Sequence, residues 1–87
     1  MYVAVQHRIK DAQTAMARGD VLLKGEGAPP GVQVREFYLS QDQALATCLW
    51  EGGSVGAVQG YVDSTLGDSA ENFFFQVDAE HSLGLPK

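Results

Sequence analysis

A chain of 87 residues has room for one domain and not two, and since a domain this small buries only about 60 to 65% of its unfolded surface, a subunit partner is a reasonable source of added stability. Hydrophobic residues at 45% against 20% charged exclude a disordered chain. A net charge of -5, with six Lys and Arg scattered singly from Arg8 to Lys87, excludes a nucleic-acid surface.

Met1 runs straight into the strand-like segment Tyr2 to Ile9, YVAVQHRI, without a basic and then apolar leader. Val3, Val5, His7 and Ile9 alternate with Tyr2, Ala4, Gln6 and Arg8, the signature of a half-buried strand. Asp11 is placed to cap a helix, and Ala12, Ala15, Met16, Leu22 and Leu23 recur at helical spacing before Gly25. Gly19 interrupts this stripe at a cost of about 1 kcal/mol relative to Ala, so a break is expected near Gly19 and Asp20. The run GEGAPPG, 25–31, is a loop.

Two strands follow, Val32 to Leu39 and Ala44 to Glu51, joined by the polar connection Ser40 to Gln43 that suits an antiparallel hairpin. Ser54 offers a second helix cap, Val55, Val58, Val62 and Leu66 form the apolar stripe, and Gly67 closes the helix in a left-handed conformation. Asn72 to Ala79, NFFFQVDA, reads as the last strand, and 80–87 as an extended tail. The whole chain, 1–87, is thus one α+β domain of order βαββαβ, the ferredoxin-like arrangement. The right-handed crossover rule puts both helices on one face of a four-stranded antiparallel sheet of spatial order 4-1-3-2.

That arrangement leaves one sheet face bare. Phe73, Phe74 and Phe75 cannot all point to the covered side, because successive strand residues alternate. Packing of two open faces in a homodimer, a dimeric α+β barrel, is the expected solution. Cys48 is the single cysteine and has no internal disulfide partner, which with the absence of a leader or an apolar span of about 18 residues points to a cytoplasmic address and away from membranes.

Few residues invite chemistry. Gly52 to Gly56 match G-x-S-x-G, with Asp78 and His81 following in triad order, but a nucleophile elbow needs a large parallel sheet that this chain cannot build, so Ser54 is read as the helix cap. Gly25, Gly27 and Gly31 follow a helix, whereas a phosphate-binding loop precedes one. His7 shares the covered face with Val3, Val5 and Ile9, and strand order 4-1-3-2 brings it toward Ala46 and Cys48. Imidazole and thiolate both bind zinc, nickel or copper, so the pair is half of a metal site or, alternatively, a hydrogen-bonded core histidine beside a buried cysteine. His81 falls at the other end of strand one, nearer Glu51 and Glu80. Trp50, Tyr38 and Tyr61 line a ligand pocket or belong to the core.

Val5 to Ile9 (VQHRI) and Cys48 to Ser54 (CLWEGGS), followed by Ala57 and Val58, resemble the small ferredoxin-like family that includes bacterial nickel-binding proteins. The resemblance implies His7, Cys48 and Glu51 as the positions for nickel or zinc. It departs from the family late in helix two, where the family carries a histidine and this chain has Tyr61, Val62 and Asp63. The wider group of dimeric α+β barrels includes cofactor-free isomerases and monooxygenases. Three functional expectations follow. The leading one is a homodimeric, non-catalytic domain that binds a small molecule or metal ion around His7, Cys48, Trp50 and Tyr61. The others are a small cofactor-free enzyme with His7 as acid or base, and a structural protein-interaction module.

Overall fold

The computed structural model describes residues 1–86; Lys87, the end of the expected tail, lies outside the described residues. The elements are β1 (Tyr2–Ile9), α1 (Ala12–Lys24), β2 (Gln33–Leu39), β3 (Leu45–Glu51), α2 (Val55–Leu66) and β4 (Ala70–Gln76), with 3-10 turns at Gly67–Ser69 and Ala79–His81. The sheet order is β2-β3-β1-β4 with every pairing antiparallel, the expected order read from the other edge. Val3, Val5, Cys48 and Trp50 of the central strands form one core with Leu22 of α1 and Val58, Val62 and Leu66 of α2, so both helices cover the same face. The chain has a ferredoxin-like α+β fold.

Local chemistry accounts for the helix ends. The Asp11 carboxylate accepts from the Thr14 N–H at 3.2 Å to start α1, and Gly25, at φ 72°, ends it in the left-handed region that side chains disfavour. The Ser54 hydroxyl accepts from the Ala57 N–H at 3.0 Å, which fills the capping role and not that of a nucleophile. Gly67 has a positive φ of 55° with ψ -135°, outside the left-handed helical well expected for it, and passes into the 3-10 turn. The Ser69 carbonyl then accepts from Lys10 N at 2.9 Å and Asp11 N at 3.1 Å, tying the β1–α1 corner to the α2–β4 corner.

Three boundaries differ from expectation. α1 runs unbroken through Gly19, since Ala15 and Leu22 on either side of it are buried and hold the helix against the weak propensity of one glycine. β4 begins at Ala70, two residues before the expected start, because Ala70 pairs with Ile9 at the very end of β1. It stops at Gln76 because the Asp78 carboxylate accepts from Glu80 N at 3.1 Å and turns the chain, so the start of the expected tail is a 3-10 turn. The chain then returns to β1, where the Tyr2 hydroxyl donates to the Pro86 carbonyl at 2.9 Å.

The face away from the helices carries the alternate residues of each strand. On it Phe73, Phe75, Leu45 and Tyr38 are 54%, 52%, 58% and 63% exposed, while Phe74 points inward and is half-buried. Along β2 a bulge between Val34 and Glu36 sets Arg35 outside the regular pairing with β3. Among the described residues no helix is long and apolar enough to cross a membrane.

Candidate functional site

The register of β1 decides where its histidine goes. His7 lies opposite Ala46 of β3 on one side and Asn72 of β4 on the other, and Cys48 is one inward position along β3, opposite Val5. All of these positions face the helices. His7 is 5% exposed and Cys48 3%, so every polar atom they bring inside must find a partner there.

The partners form a line from the surface to the core. The Asp63 carboxylate of α2 accepts from Asn72 Nδ2 at 2.9 Å, Asn72 Oδ1 stands 2.7 Å from His7 Nδ1, and His7 Nε2 stands 3.2 Å from Cys48 Sγ. A carboxylate only accepts, so the amide nitrogen of Asn72 must face Asp63 and its oxygen must face the ring. Nδ1 therefore carries the proton and donates it to Asn72, and Nε2 carries the lone pair and accepts from the Cys48 thiol.

Both shared protons stay where neutral groups hold them. Burial lowers the His7 pKa from its ordinary value, outweighing the Asn72 hydrogen bond and the Asp63 charge that pull the other way. Burial also pushes the Cys48 thiol up to about 12. The Trp50 indole N–H opposes that rise but only weakly, from outside hydrogen-bond geometry, since Nε1 is buried without a partner. Thiol, imidazole and amide stand in the order that activates the nucleophile of thiol hydrolases, yet both shifts disfavour the thiolate–imidazolium pair such a nucleophile needs. The pair is therefore a neutral, electron-rich spot on an otherwise apolar wall.

That wall belongs to a cavity of about 250 Å³ between α1 and the inner face of the sheet. Its floor is His7, Ala46 and Cys48, and its α1 side is Ala15, Met16 and Gly19, with Phe37 of the edge strand β2 at the margin. Met16, Leu23 and Phe37 are each more than a third exposed, which marks that margin as the way in. Gly19 helps to make the space: a Cβ built there would meet nothing within 4 Å.

The other expected site residues lie elsewhere. Trp50 is 1% exposed and packs edge-to-face on Tyr61, ring centroids 5.9 Å apart, while the Tyr61 hydroxyl donates to the Glu26 carbonyl at 2.6 Å. Neither ring reaches the cavity wall. Glu51 alternates away from Cys48 to the opposite sheet face and pairs with Arg35. His81 is exposed and its Nδ1 stands 2.9 Å from Asp78 Oδ2, so its neighbour is Asp78 and not Glu51.

For nickel or zinc the fit is incomplete. His7 and Cys48 supply two donors, Glu51 does not join them, and the thiol would have to lose a proton that burial holds firmly. Among the described residues three potential ligating groups converge only at Asp78, Glu80 and His81, all exposed and beyond the end of β4 that borders the start of β1.

Asn72 and Asp63 are the functional positions that inspection of the sequence missed. The β1–β4 register would have supplied Asn72 had the strand been started at Ala70, since pairing Ile9 with Ala70 places Asn72 beside His7. Asp63 has no sequence signal of its own beyond a polar side chain next to the apolar stripe of α2.

The His7 environment sets a pH dependence. The unfolded chain takes up a proton on this ring near pH 6.5, and the folded chain only at lower pH. The unfolded state therefore binds more protons as pH falls through that window, and stability falls with it. The urea midpoint is expected to drop as pH is lowered from 7.5 to 5, and the drop is expected to flatten in His7→Gln; equal pH slopes in the two proteins would remove His7 as the cause.

Comparison of the chain with protein-family models, with curated proteins and with solved structures finds no match, so the site rests on its own geometry.

Proposed function

We propose that this chain is a small-molecule-binding domain, non-catalytic, whose ligand occupies the cavity between α1 and the sheet against His7 and Cys48. One observation carries the reading: an apolar cavity of about 250 Å³ converges on a single buried polar pair, the usual makeup of a ligand site. An engineered cavity of about 150 Å³ takes benzene, so a one-ring or small two-ring compound suits this volume. Gly19 supports the reading from a second direction. A glycine in a helix interior costs about 1 kcal/mol relative to alanine, and here it leaves open space on the cavity side.

Toluene is the simplest probe. In a titration followed by NMR, amide shifts are expected to cluster at Ala15, Gly19, Ala46 and Ala70. Gly19→Leu should abolish them while leaving the protein at least as stable, because leucine favours the helix and its side chain fills the space. Retained binding in a folded Gly19→Leu protein would show that the cavity is not the site.

A second reading, a cofactor-free enzyme, is favoured by the tautomer of His7, whose Nε2 stands unprotonated at the cavity wall as a general base must. It predicts that a bound ketone exchanges α-protons with D2O in the presence of the protein and not in its absence. No exchange above background would leave binding alone.

We also propose a homodimer through the open sheet face. Support comes from Tyr38, Leu45, Phe73 and Phe75, each more than half exposed on the one sheet face that the chain's own helices do not cover. Sedimentation is expected to give twice the chain mass for the natural protein and the single mass for Phe73→Ser/Phe75→Ser. A natural protein that stays at single mass at high concentration would refute the dimer.

A further inference from the structure

The polarity of the cavity goes further than its size and says what kind of molecule it selects; this deepens the binding-site reading and rests on it. Among the described residues, the polar side chains on the wall are His7, Cys48 and Asp20. Asp20 is exposed, carries a negative charge at the margin and is held by Lys24 at 2.9 Å. Deeper in, the proton of His7 is committed to Asn72, and the acceptor of Asn72 is committed to His7. What the pair offers inward is the Nε2 lone pair and the lone pairs of Sγ. The one proton available between them belongs to a thiol, a weak donor that a stronger one can displace.

We infer that the cavity selects neutral ring compounds that carry a hydrogen-bond donor, a phenolic hydroxyl or a ring N–H, and rejects their carboxylate counterparts. A ligand hydroxyl replaces the thiol as the donor to Nε2, exchanging a weak S–H hydrogen bond for a stronger O–H one. The displaced Cys48 S–H, a weak donor that costs little to redirect, then turns to the ligand's hydroxyl oxygen, which accepts from it. A carboxylate of the same shape would place its charge against the Nε2 lone pair and the sulfur, with no positive side chain on the wall to offset burial. It would also approach a chain of net charge -5. The Asp63–Asn72 link makes this preference a property of the fold: as long as the amide faces the carboxylate on α2, the ring cannot turn its proton toward the cavity.

Three probes of nearly one shape test the inference: toluene, p-cresol and p-toluate, titrated by NMR at neutral pH into the natural protein. p-Cresol is expected to bind about three- to tenfold more tightly than toluene, the range of one net hydrogen bond, and p-toluate not to bind measurably. The His7 Nε2 resonance is expected to move with p-cresol and to stay with toluene. In His7→Phe, which keeps a ring but removes the acceptor, the preference for p-cresol should vanish or turn toward toluene, because a hydroxyl buried without its acceptor costs free energy; the Nε2 resonance of the natural protein decides the matter if that variant does not fold. Equal or tighter binding of toluene, or any preference for p-toluate, would overturn the inference while leaving the cavity as a binding site. Failure of all three probes to bind would overturn both.

Discussion

A histidine can sit on the apolar face of a central strand only if both ring nitrogens are partnered, and this requirement organises the molecule around His7. One nitrogen is answered from β4 through Asn72 and the other from β3 through Cys48, so the ring spans the strands on either side of its own. Asn72 is in turn held by Asp63 of α2. Four elements thus meet in one line of hydrogen bonds, and the cost of leaving any buried member unpaired, about 1 to 3 kcal/mol, makes the register and the seating of α2 interdependent. The same line fixes the tautomer, which is how an exposed carboxylate on a helix sets the character of an atom in the interior.

The cavity arises from an uneven division of labour between the helices. α2 presents Val58, Val62 and Leu66, with Tyr61 alongside, and fills the space over Trp50 and the sheet centre. α1 presents small residues, Ala15 and Gly19, alongside Met16 and Leu22, and so leaves a gap in front of Cys48 and His7. Close packing is the rule in protein interiors. A void bordered by a mid-helix glycine and floored by the polar pair departs from that rule, which is why a ligand there is the reading adopted.

Much of this architecture is legible in the sequence because it depends on local or periodic features. The alternation in Tyr2 to Ile9, the caps at Asp11 and Ser54, the stops at Gly25 and Gly67, and the loop 25–31 and polar turn 40–43 around the hairpin strands place five of the six main elements within a residue or so. The placing of His7 near Ala46 and Cys48 follows from strand order alone. What escaped was set by long-range pairing. The β4 start depends on Ile9 meeting Ala70, so Asn72 looked like a strand terminus and not the neighbour of His7. Aromatic type makes Trp50 and Tyr61 pocket candidates because it says nothing of which side of the core a ring occupies; Tyr61 of α2 instead meets Trp50 edge-to-face. Strand parity, which was available, already separates Glu51 from Cys48, but the resemblance of the surrounding run to a metal-binding motif drew the two together.

The irregularity at Arg35 bears on a different matter. β2 is an outermost strand, and an outermost strand with free N–H and C=O groups invites a stranger's strand to extend the sheet without limit. By slipping Arg35 out of step and engaging its guanidinium with Glu51, the chain twists that border and sets a charged pair beside it. Lateral growth on this side is thereby discouraged, since an edge bent by a bulge and flanked by a charged pair is a poor template for an added strand.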